Sequence, residues 1–237
     1  MLKQSQLRSQ FENTSVFFAC GLVGKANEYG GRELKNIALG CKGFMVPLTP
    51  GKILTCAYFN RPTVQVARSM IGKYLVRVID GRILAGKIIE VEAYVGPQDK
   101  ACHASKGRTQ RTEVLFGPPG VAYVYLIYGM YHCLNVVTER EEFPSAVLIR
   151  AIEIDGELID GPGRLCRALQ IDRRLNRMNL TTGEFLWFED RGEVVGRGTV
   201  GAHPRIGVDY AGTWAEKLWR FRLSTVTAPT RTGKTKK

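Results

Sequence analysis

Residues 74–95 read YLVRVIDGRILAGKIIEVEAYV, two β-rich runs joined by Asp80-Gly81. Asp-Gly between such runs signals a tight hairpin, because a type I′ turn needs positive φ at both central positions. The feature commits the chain to antiparallel pairing and makes Ile83–Val95 a long second strand. Within Lys87–Gly96 (KIIEVEAYVG), a period of two places Ile88, Glu90, Glu92 and Tyr94 on one face. Ile89, Val91, Ala93 and Val95 form the other, a plain core face. The first face leaves two readings open. It meets water, or it holds a general base beside a stacking platform.

The surrounding pattern is α+β. Pro62–Ile71 carries Val66, Ala67 and Met70 at helical spacing, and Gly72 stops it. Tyr123–Tyr128 and His132–Thr138 make a second hairpin around Gly129, and Ala146–Ile154 is a further strand. A short helix is expected over Gly163–Leu169, behind Pro162. Phe185–Glu189 and the stretch from Arg205 onward are expected to finish the sheet. No strand–GxGxxG–helix unit is present, which argues against a dinucleotide fold.

The ends read differently. Residues 1–44 lack a steady period and are expected to be a disordered or dispensable extension. Residues 45–226 form the working domain, and Thr227–Lys237 (TAPTRTGKTKK) a basic disordered tail. Of the net charge of +12, residues 1–43 carry +3 and the last nine carry +4, which leaves +5 for 44–228. A mildly basic core permits a phosphate-binding face without requiring one. No apolar run approaches the roughly 20 residues of a membrane-spanning helix. The six cysteines form no CxxC pair, so neither a zinc ribbon nor a disulfide scaffold is suggested, and reduced thiols are expected. His103 has no second His or Cys ligand nearby, and no metal is expected.

Tyr123–Val137 reads YVYLIYGMYHCLNVV. Alternation puts Tyr123 and Tyr125 on one face, and a hairpin centred near Met130 sets Asn135 opposite Tyr125. An amide beside a tyrosine ring suits a pocket for a flat heterocycle, though tyrosines are also common as strand core. Tyr128, next to Gly129, projects from a tip. The polar linker Gly96–Gly120 holds His103, Lys106, Arg108 and Arg111.

Taken together, Glu90-Val91-Glu92-Ala93-Tyr94-x-Gly96-Pro97, His103 and Tyr123–Asn135 resemble the alkyladenine (3-methylpurine) DNA glycosylases. The resemblance continues through Val147–Glu153, Gly161–Leu169 and Arg205–Trp214, covering roughly 58–224. It implies a single mixed α/β domain on a curved antiparallel sheet, with flanking helices and a protruding hairpin. The implied activity is monofunctional base excision: hydrolysis of the N-glycosidic bond of 3-methyladenine, 7-methylguanine, hypoxanthine or ethenoadenine flipped from duplex DNA. The implied enzyme is a cofactor-free monomer whose partner is damaged double-stranded DNA, without membrane association. Its place is the cytoplasm, on the nucleoid, in a bacterium and the nucleus in a eukaryote.

By the same resemblance, Glu92 activates the attacking water, Arg150 helps hold it, and the Val208 carbonyl supplies a third contact. Tyr94 and Tyr125 sandwich the base, and His103 completes the pocket. Asn135 opposes the 2-amino group of guanine, and Tyr128 fills the gap left in the base stack. Three departures stand out. Thr112 replaces the usual Asn, Leu218 stands where Pro is common before the Trp-Arg-Phe segment, and the connection Ile154–Asp160 is short. The last puts DNA affinity and lesion range in question.

Overall fold

The computed structural model describes residues 51–196 and 198–224; residues 1–44 and 227–237 lie outside the described residues. In chain order the elements are β1 (Lys52–Ile53), α1 (Cys56–Phe59), α2 (Thr63–Met70), β2 (Tyr74–Ile79) and β3 (Arg82–Val95). Then come β4 (Ala122–Ile127), β5 (Tyr131–Val137), β6 (Ser145–Ile154), β7 (Glu157–Asp160) and α3 (Pro162–Ala168). β8 (Leu186–Asp190), β9 (Val200–His203) and β10 (Arg220–Leu223) follow. The result is a mixed α+β domain dominated by one antiparallel sheet with a few short helices.

The Asp80-Gly81 turn forms as its sequence dictates, with φ of 49° and 75°, and joins β2 to β3. Strand order runs β1-β8-β2-β3-β6-β5-β4, with β7 on β6 and β9 on β10. β3 is the organising strand. Its first half pairs with β2, its second half with β10, and β6 lines its other edge from Lys87 to Val95. Ile89, Val91 and Ala93 enter the main core with Val66, Met70, Leu134, Ile149 and Phe188. α2 covers β3 and β6 with Val66, Ala67 and Met70, while α3 lies on β5 and β6. Helices this short do not persist alone, so burial of their apolar faces holds them.

One expectation changes, at the second hairpin, and three others gain detail. The stretch from Arg205 onward does finish the sheet, but only at β10: β9 ends at His203 before Pro204, and Gly207 at positive φ leads into two short 3₁₀ turns over Asp209–Trp214, kinked at Gly212 (φ 60°). The second hairpin centres on Gly129, not Met130, because Tyr128 and Gly129 (φ 53° and 70°) make the turn that Met130 N–H closes onto the Ile127 carbonyl. Asn135 therefore faces Tyr123, and Tyr125 faces Cys133, although the face itself is kept. The connection Ile154–Asp160 contains a strand of its own, β7, turned back on β6 by Asp155 and Gly156 at positive φ. Finally, the Glu90–Glu92 face does not meet water, since both carboxylates are buried.

Candidate active site

Glu92 lies where three strands meet, paired to Leu148 of β6 and Arg220 of β10. Its side chain is fully buried. A buried carboxylate needs hydrogen-bond donors around it, and Glu92 has them. Oε1 accepts the Ile206 N–H at 2.8 Å, and Oε2 accepts the Tyr94 hydroxyl at 2.8 Å. Arg150 Nη1 stands 3.4 Å from Oε1. Burial opposes the Arg150 charge, but Glu92 and Glu90 beside it outweigh that penalty and hold its pKa above the usual value.

In front of this pair is a cavity of about 140 Å³. Tyr94, His103, Tyr125, Asn135, Arg150 and Val208 all line it, so six of the anticipated residues converge from six separate segments. Glu92 stands just behind the lining, reached through Tyr94 and Arg150. A dry cavity of about 150 Å³ holds a benzene-sized guest, so this one suits a flat ring system.

Burial shapes the walls. It pushes the Tyr94 hydroxyl well above the ordinary tyrosine range, with the Glu92 charge adding to it, and it raises Tyr125 likewise. It lowers His103 to about 4, helped by Arg111 and Lys106, so the imidazole is neutral at pH 7. His103 Nδ1 lies 2.9 Å from the Tyr123 hydroxyl, and its ring stands edge-on to Tyr125 at 4.6 Å. Asn135 Nδ2 donates to the Tyr123 carbonyl at 3.1 Å, which fixes the amide against the cavity wall. The Val208 carbonyl accepts Ala211 N–H at 2.8 Å and keeps a second lone pair.

Tyr128 stands apart, 82% exposed at the hairpin tip beside Met130 at 65%. Ile127, the residue before it, lines the cavity, so tip and mouth adjoin. Among the described residues no group of three His, Cys, Asp or Glu side chains is arranged to hold a metal, and no helix is long and apolar enough to cross a membrane.

Sequence reasoning missed the support behind the site. Asp99 and Arg205 are both fully buried and form a two-pronged pair at 2.5 and 2.8 Å. Asp99 also accepts Val95 N–H and Ala101 N–H, while Arg205 donates to the Ala93 and Trp214 carbonyls. One ion pair thus ties β3, the His103 loop and the Val208 loop together. No local pattern marks a pair 106 residues apart. Cys133 on the cavity floor was also passed over, its signal being only that it shares the Tyr125–Asn135 face. Thr112 closes its loop, with its hydroxyl donating to the Gly107 carbonyl and accepting Thr109 N–H.

A buried carboxylate paired with an arginine at an aromatic cavity, beside an exposed ring on a hairpin tip, makes this cavity the candidate active site. Residues 57–226 match the family described as methylpurine-DNA glycosylase (MPG). A protein of Methanocella arvoryzae, provisionally named a 3-methyladenine DNA glycosylase, is 50% identical over 185 residues, covering 71% of this chain and 91% of that protein. Proteins of the same provisional name from Legionella pneumophila (strain Lens) and Myxococcus xanthus are 51% and 50% identical, over 70% of this chain and 91% and 87% of theirs. The chain belongs to the methylpurine-DNA glycosylase family, and so to the hydrolases of DNA repair.

Proposed function

We propose that this enzyme hydrolyses the N-glycosidic bond of alkylated or deaminated purines flipped out of duplex DNA, leaving an abasic site. The lesions it takes are 3-methyladenine, 7-methylguanine, hypoxanthine and ethenoadenine. The observation that carries the reading is buried Glu92, paired with Arg150 of the cavity wall, directly behind the cavity of Tyr94, Tyr125 and His103.

Glu92 orients a water and takes its proton as the sugar carbon loses its base, and its charge offsets the positive charge developing on the sugar. Arg150 and the Val208 carbonyl hold that water. Tyr94 and Tyr125 stack on either side of the base, and Asn135 opposes a 2-amino group. Extrusion costs about a few kcal/mol, and stacking, on the order of 1–3 kcal/mol per base, offsets it. Tyr128 fills the vacated place in the stack. A methylated purine cation leaves readily; neutral hypoxanthine needs a hydrogen bond or a proton. Among the described residues the cavity lining includes no lysine, which supports simple hydrolysis over an imine-forming lyase.

The test is release of free base from a methylated duplex, without added metal or nucleotide. Free 3-methyladenine with abasic sites left behind is the expected result. Tight lesion binding with no base released would make the chain a binding module and end the reading.

A further inference from the structure

Water activation by Glu92 leaves the second carboxylate of its face, Glu90, without a part. Its surroundings are unusual. Glu90 is buried, and three guanidinium groups converge on it from two neighbouring strands. Arg150 Nε donates to Oε1 at 3.0 Å, Arg220 Nη1 stands 3.3 Å from the same oxygen, and Arg222 Nη1 donates to Oε2. Arg220 is further fixed by the Pro204 carbonyl at 2.7 Å, and Arg222 reaches Asp160 at 3.5 Å.

Arg150 is the shared member. Its Nε is hydrogen-bonded to Glu90, whereas its Nη1 meets Glu92 only as an ion pair at 3.4 Å. A guanidinium beside a single carboxylate tends to close a two-pronged fork on it. Here the fork is split between two acids. The split matters because Glu92 already accepts from Ile206 and Tyr94. A carboxylate has about four acceptor sites, so a fork from Arg150 would occupy what remains and leave none for a water.

We propose that Glu90 is a positioning residue: it holds Arg150 by Nε and keeps the guanidinium from closing on Glu92. The inference rests on the water-activating role of Glu92 proposed above. It predicts that Glu90 governs the rate of bond cleavage and not the hold on DNA, and that it does so only through Arg150.

The experiment measures single-turnover base release, and affinity for a duplex with an abasic-site analogue, for Glu90→Gln and Glu90→Asp. Each is made in the wild-type chain and in an Arg150→Met chain. Expected is a loss of about 10- to 100-fold in release for Glu90→Gln, with affinity within about twofold, and partial recovery in Glu90→Asp. In the Arg150→Met background the same change should alter the rate less than about twofold, the signature of residues acting through one another. Equal losses in both backgrounds, or a loss confined to affinity, would overturn the proposal. Should Glu90→Gln fail to fold, Glu90→Asp in the two backgrounds decides by the same comparison. A wild-type chain that releases no base overturns the glycosidic reading as well, whereas active wild type with background-independent losses removes only the part given to Glu90.

Discussion

The guanidinium of Arg205 lies over the ring of Tyr94, 4.8 Å from its centroid, with Trp219 at 5.1 Å. Tyr94 is a cavity wall and a donor to Glu92, so Arg205 supports wall and acid together. Its charge is matched by Asp99 in full burial. Breaking such a pair strands one charge in the interior, at about 3–5 kcal/mol. Arg205→Met should lower stability by about that amount, while Asp99→Asn combined with Arg205→Met should recover part of it. Urea unfolding midpoints of the three chains check this; an undiminished midpoint for the single variant would refute it.

Glu92→Gln preserves shape and removes both proton acceptance and negative charge. Lesion binding should persist while single-turnover release falls at least about 10²-fold, since a working base contributes about 10²–10⁴-fold. Retention of more than about a tenth of the wild-type rate would displace Glu92 from the role.

Tyr128 is not among the residues that line the cavity, so its loss should spare chemistry once the base is seated. Tyr128→Ala should weaken binding to an abasic-analogue duplex by about 1–3 kcal/mol, the stacking contribution. Equal affinity before and after the change would mean that the ring does not enter the stack.

Asn135 is held by the Tyr123 carbonyl, so its amide cannot swing aside for a 2-amino group. A poorly paired polar group costs roughly 1–3 kcal/mol. Asn135→Ser should therefore raise guanine release relative to hypoxanthine release about tenfold on matched duplexes. An unmoved ratio would place the filter elsewhere, in the backbone around His103.

His103 provides a pH test. Its pKa in the folded chain is about 4, against about 6.5 when unfolded. The folded value is the depressed one, so the associated stability is complete above about pH 6.5 and is lost as pH falls toward 4. Wild type should thus lose on the order of 2 kcal/mol across that window beyond any loss in His103→Gln. Parallel stability–pH curves for the two chains would contradict the assignment.

What could be read in advance follows from how local each signal is. Asp80-Gly81 names its own turn, and alternation in β3 carries Glu90, Glu92 and Tyr94 to one face without outside help. The site positions followed from a run of matching residues and came together at the cavity. Long-range matters stayed hidden. Whether the Glu90 face met water depended on arginines from β6 and β10, and the part played by Arg205 depended on a distant aspartate. The hairpin register slipped because a tyrosine at positive φ is not something a bare sequence announces.

The exchange of partners along β3 sets an order of events. Its first half can pair with β2 as soon as Tyr74–Lys87 has formed, but the half bearing Glu92 waits for β10. Glu90 and Arg220 are 130 residues apart. Chains emerge from synthesis N-terminus first, at roughly 5–20 residues per second, and distant pairings close slowly. The acid is therefore made well before the strand that closes its edge, so a nascent chain carries Glu92 for several seconds before β10 has even been synthesised.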